Sequence, residues 1–288
     1  MTKLSRTALG PLYGRVLAGI PYAKELWNEV SKNIDTGINQ DPKYFHDPKW
    51  VLHRETRHEG IQKRLYGRGS KTLLVDVAAG LASRGLIHAD KGNCSVDVDL
   101  PEMIDVRKNL LDAIGYRDKN LQLVSGNALD GNTYDEIADI ISRHKNTHDS
   151  VTITTEALML YLSKQEKARV IQNTHHLAKV AAKHGMDFRW LLTHLTPQSQ
   201  AGSAYNISQP QDIGACEESM IHLANNDNNY KNEQELLRTM KACGFRVGVH
   251  LPSAVNNRLK TPKVLGLSHT EINKLHIPQS SVYELTPR

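Results

Sequence analysis

The stretch TLLVDVAAGLASRGL, residues 72–86, decides the fold of this chain. Its apolar first half has the composition of a buried β-strand, and it runs into a small turn around Gly80 that is followed by Arg84. A glycine permits close backbone approach, and the N-terminus of the next helix offers free N–H groups to an anion. The stretch therefore predicts a ligand-binding turn at the carboxyl end of a strand.

Strands and helices alternate regularly around this stretch. Further strand composition occurs at 94–100, at 121–129, at the start of 150–162 and at 186–195, and helical spacing of apolar residues occurs at 101–115, 134–144 and 163–185. This alternation predicts an α/β fold with a doubly wound, mostly parallel sheet and right-handed crossovers. Residues 245–251 and 280–287 predict an antiparallel C-terminal edge, which makes seven strands.

The chain divides by composition into a cap, a main domain and an insertion. Residues 1–71 predict a helical N-terminal cap, and residues 72–288 predict a Rossmann-like domain. Residues 196–230 are polar and rich in Gly, Ser, Asn and Gln, and an insertion of this length after a strand predicts a lid. Ser163 and Glu166 predict a capping box for the helix that follows them, with Gly185 as its end.

Bulk composition excludes several protein classes. Nothing approaches 18 consecutive apolar residues, so we expect no membrane span, and prolines and charges interrupt the N-terminal apolar runs, so we expect no signal peptide. The three scattered cysteines favour a cytoplasmic protein over a disulfide framework. The absence of a G-x-S-x-G motif removes the main support for a hydrolase.

The net charge of +5 is unevenly distributed. Residues 1–72 hold 13 Lys/Arg against 7 Asp/Glu, whereas the remainder holds 23 against 24. One interpretation is a solvated helical surface, and another is a basic cap that steers an anionic small-molecule substrate. No long Lys/Arg run or aromatic-basic pattern accompanies the charge, so we expect no nucleic-acid partner.

Residues at the predicted strand ends indicate the ligand. Asp99 follows the second strand, where its carboxylate suits both hydroxyls of a ribose, although it could equally be a helix N-terminal charge. Asn127 and Ala128 follow the third strand, where they would meet an adenine edge. The G-x-G-x-x-G pattern of dinucleotide sites fails because alanine stands at position 78, which disfavours a nicotinamide-dependent oxidoreductase.

An adenosine ligand without a pyrophosphate fits these strand ends better, and S-adenosylmethionine is the common one. Its amino acid end needs a carboxylate for the ammonium group and a cation for the carboxylate. Glu156 would supply the first, and either Arg57 or Arg84 the second.

Four segments, in this order and spacing, carry a resemblance to a known family: LLVDVAAGLASRG, VDVDLPEMI, SGNALD and TEALMLYLS. They resemble the leucine carboxyl methyltransferase family, in particular its bacterial branch of tetracenomycin-type polyketide carboxyl O-methyltransferases. The likeness extends from about Arg54 to the C-terminal SSVYELTP. It implies a class I methyltransferase fold, S-adenosylmethionine as cofactor, and O-methylation of a carboxylate on a polyketide-like metabolite. The alternative acceptor is a protein C-terminal carboxylate.

The resemblance also implies roles for individual residues. By it, an arginine before the first strand binds the cofactor carboxylate, the turn glycine contacts the methionine part, and the strand-two acid with its neighbour holds the ribose. A polar pair faces adenine, and a glutamate meets the amino group. The matching residues here are, in that order, Arg57, Gly80, Asp99 with Leu100, Asn127 with Ala128, and Glu156. Two positions depart from the family: Ala78 stands where glycine is frequent, and Asn127 where aspartate is usual.

The acceptor pocket is less well indicated. Arg54, Tyr161 and Tyr205 are candidate lining residues, although plain packing explains each tyrosine equally well. A carboxylate acceptor needs no base, whereas a phenol would need one, and His194 at the end of the fifth strand is the candidate. His144 and His148 lie four residues apart, but no cysteine or carboxylate completes a ligand set near them and their segment has the composition of a loop, so no metal site is predicted.

Overall fold

The computed structural model describes residues 8–33, 48–65, 71–194, 233–250, 258–264, 266–268 and 281–288. Within these ranges the helices are α1 Leu9–Leu17, α2 Ala23–Asn33, α3 Pro48–Leu65, α4 Arg84–Ala89, α5 Pro101–Ala113, α6 Gly131–His144, α7 Lys164–Lys183, α8 Glu233–Ala242 and α9 Thr261–Val264. The strands are β1 Thr72–Val77, β2 Ser95–Asp99, β3 Leu121–Ser125, β4 Ser150–Glu156, β5 Asp187–His194, β6 Phe245–His250 and β7 Ser281–Pro287. A short 3₁₀ helix, Leu158–Tyr161, follows β4.

The seven strands form one sheet in the order β3-β2-β1-β4-β5-β7-β6. Strands β1 to β5 pair in parallel, whereas β7 pairs antiparallel with both β5 and β6. This order, with an antiparallel strand inserted next to the edge, confirms the predicted α/β fold with a seven-stranded, mostly parallel sheet and an antiparallel C-terminal edge. The strand order reverses between β1 and β4, so a crevice opens beyond the carboxyl ends of these two strands.

Helices cover both faces of the sheet. Helices α6, α7 and α8 bury the larger apolar cluster against one face, with Trp190 and Phe245 at its centre. On the other face, α3 packs against β5 and β7 through Ile61, Leu65 and Leu191. Both faces of a parallel sheet are thereby shielded, as the near-continuous burial of β1, β2 and β4 requires.

The N-terminal helices share a core with the main domain. Leu12 of α1 and Leu26 of α2 belong to one buried cluster with Leu86 of α4 and Leu111 of α5. The two helices thus extend the layer that covers β1, β2 and β3. A boundary at residue 71 remains a prediction.

Strands β3 and β4 each end inside the sequence segment that predicted them, at the point where the chain turns. Strand β3 ends at Ser125 because the chain turns at Asn127, whose Oδ1 accepts a hydrogen bond from the Leu129 N–H at 2.9 Å. Strand β4 ends at Glu156 because Ala157 adopts the left-handed conformation, with φ 64°, and starts the 3₁₀ helix. The predicted lid, residues 196–230, lies outside the described residues. None of the described helices has both the length and the apolar character needed to cross a bilayer.

Candidate active site

A cavity of about 330 Å³ opens at the carboxyl ends of β1, β2 and β4. The ends of these strands and the turn after β3 form its floor, and Pro11 and Arg15 of α1 contribute to its wall. The predicted cofactor residues that line this cavity are Arg57, Gly80, Asp99, Leu100, Asn127, Ala128 and Glu156. The structure therefore brings all seven together, although the sequence spreads them over helix α3 and the ends of four strands.

The turn after β1 has the conformation that the glycine predicted. Gly80 has φ 53°, and Ala78 has φ 58°, so both lie in the left-handed region that is favourable only for glycine. The Gly80 N–H donates to Asp99 Oδ2 at 2.6 Å, and its carbonyl accepts from Arg107 Nη1 at 3.1 Å. Arg107 is itself buried and paired with Asp97. The turn is thus held from both sides.

Asp99 holds two backbone N–H groups in place and also lines the cavity, where a ligand could reach it. Its Oδ1 accepts from the Leu100 N–H at 2.8 Å, in addition to the bond from Gly80. Each carboxylate oxygen can accept a second hydrogen bond, and Asp99 lines the cavity, so both oxygens remain able to accept ligand hydroxyls. Burial raises the pKa of Asp99, while the two backbone N–H groups counteract that shift. The two interpretations of Asp99 from the sequence, a ribose ligand and a charge at a helix N-terminus, are therefore compatible, because Asp99 accepts from the Leu100 N–H at the start of α5 and also lines the cavity.

Glu156 lies at the centre of a buried cluster of arginines. Its Oε1 lies 3.1 Å from Arg57 Nη2, and its Oε2 lies 3.1 Å from Arg15 Nη2 and also pairs with Arg84. Arg84 donates both to Glu156 and, at 2.8 and 3.0 Å, to the two carboxylate oxygens of Asp76. Three arginines face two carboxylates, which leaves one excess positive charge beside the cavity.

The cluster fixes the charge state of its members. Burial raises the pKa of Glu156, but attraction by Arg15, Arg57 and Arg84 outweighs it and holds that pKa well below its usual range. Burial lowers the pKa of Arg15. Burial and the repulsion of Arg84 and Arg15 lower the pKa of His58, one residue after Arg57, to about 3. At neutral pH the cluster therefore holds an ionised Glu156 and a neutral His58.

The geometry separates the two arginines that the sequence left as alternatives. Arg84 is fully buried, does not line the cavity and is committed to Asp76. Arg57 and Arg15 both line the cavity. Sequence reasoning missed Arg15, although there was a signal: it is the single charged residue of the apolar helix LGPLYGRVL.

Of the residues predicted to contact the methyl acceptor, only some lie near the cavity in the described part of the chain. Tyr161 lines the cavity. Arg54 is buried one turn before Arg57, where its side chain packs against Gly14 of α1 and lies outside the cavity lining. His194 ends β5, where its backbone pairs with Ser281, and Tyr205 lies outside the described residues. The acceptor roles of these four residues stay predictions.

Comparisons with known proteins give topological matches only. No protein-family model matches the chain, and no curated protein matches it. Magnesium protoporphyrin IX methyltransferase from Synechocystis PCC 6803, with bound SAH, matches with 12% identity and a TM-score of 0.48 over 93% of this chain and 95% of that one. Geranyl diphosphate C-methyltransferase from Streptomyces coelicolor A3(2) matches with 13% identity and a TM-score of 0.47 over 86% and 80%. The plantazolicin methyltransferase BamL matches with 10% identity and a TM-score of 0.46 over 99% and 98%. At these identities and TM-scores, the matches say nothing about what this chain binds.

The prediction of no metal site rested on a missing third ligand, and the fold corrects that premise. Cys94, which lies 50 residues before His144 in sequence, comes together with His144 and His148 in the structure. Because β1 pairs in parallel with both β2 and β4, the amino ends of these strands lie side by side. Sequence spacing alone could not show this contact.

Proposed function

We propose that this chain is an S-adenosylmethionine-dependent O-methyltransferase that acts on a carboxylate of a small molecule. One observation carries the proposal: a single cavity is lined both by Asp99 and by Glu156 with its partners Arg15 and Arg57. The first suits a ribose, and the second suits a group that carries both an ammonium and a carboxylate. An adenosine joined to an amino acid has both parts.

The protein's contribution is binding and orientation. Asp99 would hold the ribose hydroxyls, Asn127 and Ala128 would meet the adenine, and Glu156 would accept from the ammonium group. Arg15 and Arg57 would donate to the carboxylate, since the excess positive charge of the cluster favours an anion. The bound cofactor supplies an electrophilic methyl group on a sulfonium. Holding an acceptor oxygen in line with that methyl group is a positioning task, worth several kcal/mol or more of the barrier.

The acceptor is proposed as a carboxylate because of the resemblance to the leucine carboxyl methyltransferase family. A carboxylate oxygen is already anionic and nucleophilic, so the transfer forms a C–O bond and breaks the S–C bond with no proton to remove. A phenol acceptor would first have to lose its proton, and His194 would be the base. Tyr161 is the one proposed acceptor residue that lines the described part of the cavity.

Calorimetry on Arg15→Met tests the cofactor assignment. Arg15 is the suitable arginine to remove, because Glu156 keeps Arg57 and Arg84 as partners and Asp76 keeps Arg84. We expect S-adenosylhomocysteine to bind about 10–150-fold more weakly, since a hydrogen bond to a charged group contributes about 1.5–3 kcal/mol. Methylthioadenosine, which lacks the amino acid part, should bind equally to both proteins. The exposed Arg117→Met is the matched control.

Two results would overturn the cofactor assignment: tighter binding of NAD than of S-adenosylhomocysteine, or equal loss of both adenosine ligands in Arg15→Met. The acceptor is tested separately with a panel of carboxylic acids and phenols and radiolabelled cofactor. Carboxylates should be methylated equally by wild type and His194→Ala. Turnover of phenols alone, lost by about 10²–10⁴-fold in the variant, would replace the carboxylate while leaving the methyltransferase proposal intact.

A further inference from the structure

A cysteine and two histidines meet at the amino ends of β2 and β4, on the side of the sheet opposite to the cavity. Cys94 immediately precedes β2, His144 is the last residue of α6, and His148 lies just before β4. One potential ligand atom from each of the three side chains lies within 4.8 Å of the others. The cavity lies at the other ends of the same two strands, so the cluster is separated from it by roughly 15–20 Å, the length of a five-residue strand.

The backbone holds these three residues at fixed positions. The Cys94 carbonyl accepts from the Leu74 N–H at 3.0 Å, which ties it to β1. The His148 N–H donates to the His144 carbonyl at 3.0 Å, which closes the turn between the two histidines. Both ends of the cluster are therefore anchored in regular structure rather than in a long loop.

The neighbour of His148 selects the ring atom available to a metal. The Thr147 hydroxyl donates to the His144 carbonyl at 3.1 Å, so its oxygen can act only as an acceptor toward His148 Nδ1, which lies 2.9 Å away. Nδ1 therefore carries the hydrogen, and Nε2 keeps its lone pair. A metal-ligating histidine commonly has its other ring nitrogen held by such a donor bond, which fixes the tautomer and the ring orientation.

The chemistry of the three groups selects the metal. Thiolate and imidazole together suit Zn²⁺, which is a borderline-soft ion with tetrahedral preference. Bond lengths of about 2.3 Å to sulfur and 2.0–2.1 Å to nitrogen place tetrahedral ligand atoms about 3.5 Å apart, so the observed group would have to contract by only about 1 Å.

We propose that Cys94, His144 and His148 form a zinc site that clamps the amino ends of β2 and β4 together across β1. The Cys94 thiol gives up its proton to solvent as the Zn–S bond forms, and a water completes the four ligands. The site is structural in location, because the starts of two strands and the end of α6 meet there. It is independent of the proposed methyltransferase function.

Metal binding to untagged, full-length protein tests the proposal. We expect one tightly bound Zn²⁺ per chain after dialysis, measured by atomic emission, and a rise of several degrees in Tm when Zn²⁺ is added to metal-free protein. Co²⁺ in place of Zn²⁺ should give a near-ultraviolet thiolate charge-transfer band and the intense visible bands of tetrahedral coordination.

Matched variants locate the site. Cys94→Ser should lose the charge-transfer band, the bound metal and the Tm rise, and His144→Gln should lose the metal as a second, independent variant. Cys243→Ser is the control, because Cys243 is also half-buried and free of disulfide bonds, and Cys216→Ser covers the remaining cysteine. The proposal is wrong if wild type retains no Zn²⁺, or if both Cys94→Ser and His144→Gln keep one Zn²⁺ per chain.

Discussion

Ala78 carries a conformation that its side chain disfavours. The left-handed region costs an L-residue roughly 1–2 kcal/mol because Cβ approaches the following carbonyl oxygen, yet Ala78 has φ 58° in the turn after β1. The frequent glycine at this position in the family that the sequence resembles thereby has a physical reason. Alanine at this position therefore places strain in the turn.

Replacing Ala78 with glycine should therefore stabilise the protein. Relief of the left-handed strain outweighs the extra chain entropy of glycine, about 0.5–1 kcal/mol, so we expect a gain of up to about 1 kcal/mol in the free energy of unfolding. Ala157→Gly, at φ 64°, should have the same sign, whereas Ala82→Gly, which has no such strain, should destabilise. Urea unfolding measures all three, and a loss of stability in Ala78→Gly would contradict the explanation.

Two buried histidines should make stability depend on pH. Burial lowers the pKa of His58 to about 3 and that of His88 to about 4, below the ordinary value of 6.5. The unfolded chain therefore binds more protons than the folded one as pH falls below 6.5, and folding stability decreases. The loss continues down to about pH 3 for His58 and about pH 4 for His88. Each group contributes a slope of about 1.4 kcal/mol per pH unit within its window.

His58→Gln should remove one of these two slopes. We expect the decline in unfolding free energy between pH 6 and pH 5 to be about 1.4 kcal/mol smaller in the variant than in wild type. Urea unfolding at a series of pH values gives the comparison. His88→Gln should behave alike down to about pH 4 and then diverge. Parallel stability curves for His58→Gln and wild type would show that His58 titrates in the folded protein as it does in the unfolded chain.

Helix α7 shows which local structure the sequence encodes by itself. Ser163 Oγ accepts from the Glu166 N–H at 3.3 Å, and Glu166 Oε2 accepts from the Ser163 N–H at 2.7 Å, so the predicted capping box is confirmed. Gly185 follows the helix with φ 69°, as its predicted end requires. These features depend on residues three positions apart, and local spacing is enough to find them.

Removing this N-cap should lower the free energy of unfolding by a modest amount. Ser163→Ala leaves the Glu166 N–H without its acceptor, so we expect a loss of about 1 kcal/mol in the free energy of unfolding. Ser163→Gly should cost only a few tenths of a kcal/mol, because glycine is itself tolerated at this position. Chemical unfolding of both variants checks the order. A larger loss in the glycine variant would contradict a capping role.

Contacts between segments that are distant in sequence could not be predicted, because no local spacing of residues indicates them. Arg15 reaches Glu156, and Cys94 reaches His148, only after the sheet has formed, and neither pair has a local signature. The shared location of Asp99 and Glu156 could be predicted, because the carboxyl ends of parallel strands lie on one side of the sheet whatever the detailed packing. Arg57 lies in helix α3 instead, and the family resemblance implied it. The choice between Arg57 and Arg84 required the position of Asp76, which is a matter of side-chain packing.

At the scale of the whole molecule, part of the N-terminal positive charge is internal. Residues 1–72 hold 13 Lys/Arg, but Arg15, Arg54 and Arg57 among them are less than one-tenth exposed. The interpretation of a wholly solvated basic surface is therefore wrong for these three residues. Their charge acts within the protein, where salt screens it much less than at the surface.

Steering of an anionic acceptor should accordingly be weak. We expect kcat/KM to fall by less than about tenfold between 0.1 and 1 M salt, although the Debye length shrinks from about 10 Å to about 3 Å, because strong steering supplies 10–10³-fold. The control is the same acceptor in an osmotically matched neutral solute. A decrease of a hundredfold or more would indicate that the remaining surface cations dominate association.

Because β7 lies between β5 and β6 in the sheet, β5 has no partner on that side until the end of the chain has been synthesised. β5 is complete at His194, yet the strand that covers its open edge begins only at Ser281. At a synthesis rate of about 5–20 residues per second, that edge stays unpaired for roughly 4–20 s on each ribosome. Throughout this interval the nascent chain exposes a row of backbone donors and acceptors beside Trp190, Leu191 and Leu192, the kind of surface on which neighbouring chains aggregate. The yield of this protein in a cell should therefore depend on how quickly the ribosome crosses the segment between β5 and β7.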